Sequence, residues 1–243
     1  MHWNRRIPFV LTAAGVLCAS IVASAVTTSD HRWWLLCFSR LGATGGASSA
    51  LFNGGVILAG AVIALSALPV AMGLRGASPA GFRAHRSVPK VVPLLVAALG
   101  ASLILIGVLP LSFNVFAHER AANGALASCA GLLLMHRLFL RGLSLLLDRV
   151  ATAALVILVL GMAGLTTGVL SLTVFEALAF GSVISWLHVL ETLVKQFLPA
   201  PSSPFSANSQ QVFLSPIWGT RLSGATVRPQ LGTSIGIWGT RSN

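Results

Sequence analysis

A histidine and a glutamate beside two apolar stretches are the residues in this chain best suited to proton chemistry. His118 and Glu176 each lie close to the start of such a stretch. An imidazole exchanges protons near neutral pH, and a neighbouring carboxylate can hold it in the orientation that a general base needs. His118 would then be the base and Glu176 its orienting partner, provided that the two side chains reach hydrogen-bonding distance.

Other polar side chains fall near the same ends of the apolar stretches. Three roles are open for this set: anchoring in the headgroup region, which we favour, then a structural polar cluster, then a ligand or catalytic site. Adjacent helical positions such as 118 and 119 point in different directions, so we expect no metal site and no cofactor here. Together the candidate cluster comprises Ser39, Arg40, Asn53, His118, Glu119, Asn123 and Glu176.

A second polar group lies near the end of the last apolar stretch. His188 and Glu191 are three residues apart, and Lys195 follows Glu191 by four, the favourable order for a helical ion pair. A His-x-x-Glu pair binds metal in helix bundles only with ligands from other helices, and the chain has no second copy. We therefore interpret this group as the water-facing end of a helix, with its long side chains extending towards the headgroups.

The familiar catalytic signatures are absent from the sequence. It contains no nucleotide-binding glycine loop, no His-Glu-x-x-His motif and no Gly-x-Ser-x-Gly turn. Enzymatic activity is therefore the less favoured interpretation.

The composition predicts which kind of helix positions these residues. Hydrophobic residues make up 55% of the chain and charged residues 9%, whereas soluble domains carry about 25% charged residues. Several apolar runs reach the length of about 20 residues with which a helix crosses a bilayer. The formal charge of +11 arises from basic residues in short loops beside these runs, which argues against nucleic-acid binding.

The sequence predicts an all-α polytopic membrane bundle of six transmembrane helices. Basic residues concentrate before the first span and in alternate connections, which places both termini in the cytoplasm and the protein in the cell membrane. The predicted spans are Ile7–Val26, Leu51–Met72, Val91–Leu111, Ala117–Leu138, Val150–Thr167 and Val174–Phe197.

The first span has an alternative interpretation. It has a basic start, an apolar run and Ala23-Ser24-Ala25, a pattern typical of a signal-peptidase site. Its apolar run is long for a signal peptide and suits a retained helix, which we favour.

Small residues spaced four apart predict close helix packing. Gly55 with Ala59 and Gly60 with Ala64 occur in the second span, and Gly164 with Gly168 in the fifth. Outside the membrane, "RWWLLCF" at Arg32–Phe38 suits the headgroup region, and the Gly/Ser-rich residues after it would return the chain to a second span beginning at Leu51.

The last part of the chain differs from the rest. We predict a transmembrane domain over residues 1–197 and a flexible cytoplasmic Ser/Pro/Gly-rich tail over 198–243. The motif "IWGTR" occurs twice in this tail. It is either low-complexity sequence, which we favour, or a pair of contacts for lipid or a partner through Trp218, Arg221, Trp238 and Arg241.

Three segments resemble the membrane protein family called domain of unknown function 998, found in bacteria and archaea. They are "SRLGATGGASSALFNGGVILAG" at Ser39–Gly60, "GVLPLSFNVFAHERAANGALA" at Gly107–Ala127 and "VFEALAFGSVISW" at Val174–Trp186. A more distant likeness is to the six-span DRAM/Sfk-type proteins. The resemblance implies six helices and an unknown activity, and it carries over to Ser39, Leu41, Gly42, Phe52, Asn53, His118 and Glu176.

These observations favour a non-catalytic membrane protein that binds lipids or a membrane protein partner as an accessory or scaffold subunit. The alternative is an outer-leaflet lipid-modifying enzyme that uses His118 and Glu176. A small-solute transporter ranks last, because few polar residues lie in the middles of the spans.

Overall fold

A computed structural model describes residues 8–77 and 87–198 of the chain. Within these ranges every regular element is helical, and six helices are long and apolar enough to cross a membrane. The predicted all-α, six-span architecture is therefore confirmed. The helices are α1 (Phe9–Thr27), the short α2 (Trp33–Leu36), α3 (Gly46–Ala77), α4 (Val88–Val108), α5 (Val115–Met135), α6 (Leu145–Thr166) and α7 (Leu172–Lys195), with a 3-10 turn at Phe38–Arg40 and a π-helical turn at His136–Leu140.

The second span begins earlier than the sequence predicts. The helix α3 starts at Gly46 rather than Leu51, so the run Ala47–Ala50 forms its first turn. Its 32 residues span about 48 Å, more than the hydrocarbon core requires. The first turns of α3 therefore extend beyond the core, where their hydroxyl groups contact the preceding loop.

The long helix α3 is the centre of the bundle. It packs along α4 on one side and α1 on another, and it also contacts α7. The helix α5 packs chiefly on α4, and α6 packs chiefly on α7, so these two helices lie at the periphery. We call the end of the bundle that carries Ser39 and His118 the outer end, following the orientation predicted from the sequence, and the opposite end the inner end.

Glycines allow α3 and α4 to touch backbone to backbone. A Cβ added to Gly60 would lie 2.7 Å from the carbonyl oxygen of Gly100, and one added to Gly100 would lie 2.5 Å from that of Gly60. The predicted close packing of the second span is confirmed at this crossing. In the fifth span it is wrong, because Gly164 faces Leu170 of the following turn and Gly168 adopts a φ of +73° within that turn.

The helix α1 makes the contacts expected of a retained span. It packs along α3, and the Ser24 hydroxyl, at the centre of the signal-like Ala-Ser-Ala sequence, is fully buried. That hydroxyl donates to the Ser48 carbonyl oxygen at 2.8 Å and lies 2.7 Å from the Ser48 hydroxyl. The signal-like sequence is therefore part of the interface between α1 and α3.

Candidate functional site

The loop between α2 and α3 folds back onto the outer end of the bundle. We call residues 37–42 the docked loop. Leu41 is completely buried within it, whereas α2 just before it exposes Trp34, Leu35 and Leu36. The rings of Trp33 and Phe38 stack with centroids 5.8 Å apart and join α2 to the docked loop.

The first turns of α3 bind the carbonyl groups of the docked loop. Ser48 donates to the Leu41 oxygen at 3.2 Å, Ser49 to the Gly42 oxygen at 2.6 Å and the Asn53 amide to the same Gly42 oxygen at 3.1 Å. A side chain at Gly42 would collide with the Asn53 amide. The Gly/Ser-rich sequence therefore bonds the docked loop to α3 and is not merely a connection between two helices.

His118 joins the docked loop to the outer end of α5. Asn114 starts α5, since its side chain accepts a hydrogen bond from the Ala117 amide at 3.0 Å. One turn later, the Nε2 atom of His118 lies 3.0 Å from the Ser39 hydroxyl, and its Nδ1 atom lies 2.8 Å from the Leu109 carbonyl oxygen. The Leu109 oxygen can only accept, so Nδ1 carries the proton and, in the neutral ring, Nε2 accepts from Ser39.

Glu176 joins the same loop to α7. The Ser171 hydroxyl caps the start of α7, and Glu176 lies one turn further on, where its Oε2 atom accepts a hydrogen bond from the Phe38 amide at 2.9 Å. Burial, together with the negative charge of Glu176, raises the pKa of the adjacent Cys37 thiol above its usual range. His118 and Glu176 are therefore linked through the Phe38–Ser39 backbone, and no direct hydrogen bond joins them.

The predicted cluster divides into two parts. Ser39, Asn53, His118 and Glu176 converge on the docked loop. The remaining three residues do not join them: Arg40 pairs with Asp30 at 3.3 Å on the exposed side, while Glu119 and Asn123 lie on the exposed face of α5. Glu119 and Asn123 face outwards because the depth of a residue along a helix does not determine which way it faces.

The arrangement favours a structural role for the converging residues. The Nδ1 atom of His118 is bonded to the Leu109 oxygen, its Nε2 atom lies against the Ser39 hydroxyl and the side chain is 5% exposed, so a substrate has little access to the ring. Glu176 contacts the loop backbone instead of orienting an imidazole. Of the three roles considered above, the structural polar cluster fits these contacts best.

The contacts predict that Glu176 restrains the docked loop and keeps Cys37 unreactive. Replacing Glu176 with alanine removes both the acceptor for the Phe38 amide and a charge that raises the pKa of Cys37. A lower pKa raises the fraction of Cys37 present as the reactive thiolate, so labelling by a membrane-impermeant maleimide should be faster than in the wild type. Cys18 and Cys129 lie within α1 and α5, so the water-soluble reagent reports on Cys37.

Glu119→Ala is the matched control for this experiment, because Glu119 belongs to the same outer end but faces away from the loop. Equal labelling rates for Glu176→Ala and Glu119→Ala would contradict a restraining role for Glu176.

A second polar cluster lies at the inner end. Glu191 is 1% exposed, and its two carboxylate oxygens accept hydrogen bonds from the backbone amides of Phe9 and Val10, each at 3.0 Å. Its Oε1 atom also lies 2.8 Å from the Lys195 ammonium, which confirms the predicted ion pair. The predicted water-facing position was wrong for Glu191, because the start of α1 covers the carboxylate and supplies it with donors.

A buried contact that was not predicted from the sequence joins α5, α6 and α7. His136, on the π-helical turn, is 1% exposed and its Nε2 atom lies 3.1 Å from the Asp148 carboxylate. Asp148 also accepts from the Gly142 amide at 3.0 Å, and the His136 ring meets Trp186 edge to face at 5.9 Å. No spacing pattern marks these three residues in the sequence.

The described residues contain no group of three or more His, Cys, Asp or Glu side chains that could hold a metal ion. The predicted tail contacts Trp218, Arg221, Trp238 and Arg241 lie outside the described residues, as does most of the predicted 198–243 tail.

Comparison with known proteins identifies a family. A family model described as "Protein of unknown function (DUF998)" matches residues 11–192, which include all six long helices apart from the start of α1 and the end of α7. No curated protein and no solved structure matches the chain.

Proposed function

Since this chain belongs to the DUF998 family, whose activity is unknown, we propose a function from its own outer surface: it is a non-catalytic component of the cell membrane that binds lipid through α2. The six long apolar helices make it a multi-pass membrane protein. Lipid binding by α2 would let it act as an accessory or scaffold subunit.

The observation that carries this proposal is an exposed apolar surface on a restrained segment. Trp34, Leu35 and Leu36 are 55%, 50% and 50% exposed, and the docked loop directly after them is bonded to α3, α5 and α7. Tryptophan prefers the lipid headgroup region, and a segment already held in place loses little conformational freedom when it binds. The surface is therefore suited to lipid at the outer boundary of the membrane.

The rival functions have less support from the contacts. A lipid-modifying enzyme needs a base that its substrate can reach, whereas the His118 side chain is 5% exposed. A transporter needs polar groups that face a path through the bundle. Of the mid-span serines, Ser20, Ser66 and Ser128 donate to carbonyl groups of their own helices, and the Ser102 hydroxyl lies against Gly124 of α5.

The test is native mass spectrometry of the full chain after gentle extraction from its own membrane. We expect lipid adducts on the wild-type protein and at least a halving of their occupancy in the double variant Trp34→Ala, Leu36→Ala, because it removes apolar area from α2. Phe113→Ala is the control, since Phe113 is a 75% exposed aromatic residue of another outer loop.

Equal adduct occupancy in the double variant and in Phe113→Ala would contradict the proposal. A retained protein of defined mass, lost in the double variant, would assign the surface to a membrane protein partner instead of lipid.

A further inference from the structure

Asn123 lies on the exposed face of α5 and has no hydrogen-bond partner among the residues that the structure describes. Its depth can be read from the neighbouring helix. A Cβ added to the adjacent Gly124 would lie 2.9 Å from the Ser102 hydroxyl, so this part of α5 is level with Ser102. Ser102 lies six residues before the end of α4, which is about 9 Å at 1.5 Å per residue. Since the 21 residues of α4 match the hydrocarbon thickness of about 30 Å, Asn123 faces hydrocarbon rather than water.

The exposed Ser185 side chain, by contrast, is satisfied within its own helix. Its hydroxyl donates to the Gly181 oxygen at 2.7 Å. A carboxamide has two donor hydrogens and an acceptor oxygen, and none of these is used at Asn123. Lipid tails offer no partner for them, so a neighbouring helix must supply one.

The surroundings of Asn123 suit close contact with another helix. The helix α5 packs chiefly on α4, which leaves its opposite face uncovered. On that face, Ala127 and Ala130 are exposed and small, while Leu126 and Leu134 are exposed and flank them. Small residues next to a polar side chain are the combination by which membrane helices associate, because the backbones come close enough for the polar groups to bond.

We propose that this face of α5, formed by Asn123, Leu126, Ala127, Ala130 and Leu134, is the interface through which two copies of the chain associate in the membrane. All copies share one orientation in the bilayer, so a two-fold axis along the membrane normal brings the same face of each together. A carboxamide is its own complement, because the amide of each Asn123 can donate to the carbonyl of the other. About 6 Å nearer the outer end, the exposed Glu119 of one copy can pair with the exposed Arg120 of the other. This association does not depend on lipid binding by α2.

The test is the oligomeric state of the full chain, fluorescently labelled and reconstituted in phospholipid vesicles over a range of protein densities. Single-molecule photobleaching should show dimers for the wild-type protein. Asn123→Ala should weaken dimerisation about 3- to 30-fold, the range expected for one interhelical polar contact in a membrane. Ala127→Ile should weaken dimerisation because its larger side chain keeps the two helices apart. Asn123→Gln keeps the amide and should weaken dimerisation less than Asn123→Ala. Ser185→Ala, a lipid-facing residue satisfied by its own helix, is the control and should not change it.

Wild-type protein that stays monomeric at every density would overturn the proposal, as would an Asn123→Ala variant that dimerises like the wild type while keeping its helical circular dichroism. A different protein that binds this face in an Asn123-dependent manner, with no dimer in pure vesicles, would overturn it as well.

Discussion

Replacing Glu191 with alanine is expected to lower the free energy of unfolding by about 3–5 kcal/mol, the range for breaking a buried ion pair from one side. The substitution removes the acceptor for the Phe9 and Val10 amides and the partner of Lys195 at once. The start of α1 then keeps two buried donors without that acceptor. Equilibrium unfolding of the full chain in mixed micelles, followed by circular dichroism, measures the loss.

We call the contact of the Glu191 carboxylate with the Phe9 and Val10 amides the cap on α1. Two further variants separate the loss of this cap from general damage to α7. Glu191→Gln keeps an acceptor oxygen but loses the charge, so its stability should fall between wild type and Glu191→Ala. Thr192→Ala changes the next residue, whose hydroxyl is exposed and bonded within its own helix, and it should cost less than about 1 kcal/mol. If Glu191→Ala and Thr192→Ala had equal free energies of unfolding, the Glu191 carboxylate would not stabilise the position of α1.

Gly100→Ala is expected to destabilise the protein by about 1–3 kcal/mol through overpacking. The added Cβ would lie 2.5 Å from the Gly60 oxygen and 2.6 Å from the Ala64 nitrogen, so it meets backbone atoms that cannot rotate away. The helices α3 and α4 must then separate along the largest interface of the bundle. Gly60→Ala should act in the same way, and the unfolding experiment described for Glu191 measures both.

Gly54→Ala is the matched control, because a Cβ at Gly54 of the same helix α3 meets nothing within 4 Å. Alanine is the better helix former by about 1 kcal/mol, so this variant should be as stable as the wild type or more stable. Were Gly54→Ala and Gly100→Ala to lose stability equally, the contact between α3 and α4 would not explain the effect.

The sequence was sufficient for the architecture because membrane crossing imposes a length and a polarity that can be read directly. Helix boundaries were harder to predict at the water-facing ends. The start of α3 at Gly46 was missed because glycine and serine usually indicate a loop, whereas Ser48 and Ser49 lie in a helix and donate to the docked loop. This arrangement depends on the docked loop folding back onto α3, and no local sequence pattern predicts that fold.

The sequence was sufficient to predict how deep in the membrane the candidate residues lie, but not which way their side chains face. The order of the spans places Ser39, Asn53, His118 and Glu176 at one end, and the structure brings them together. In soluble proteins, polarity shows which face of a helix is buried. Here both faces of α5 are largely apolar, so polarity does not indicate that His118 points inwards and Asn123 outwards. The Glu191 cap was missed because its donors are about 180 residues away in the chain.

The cap on α1 also has a consequence for biosynthesis. Its donors lie on α1 and its acceptor on α7, so the spans between them are synthesised before the contact can form. While those spans are being made, the amino-terminal end of α1 has to remain in the membrane without its carboxylate. Only when α7 has been released from the insertion machinery can α1 and α7 be joined. A span inserted late therefore secures one that was inserted before it.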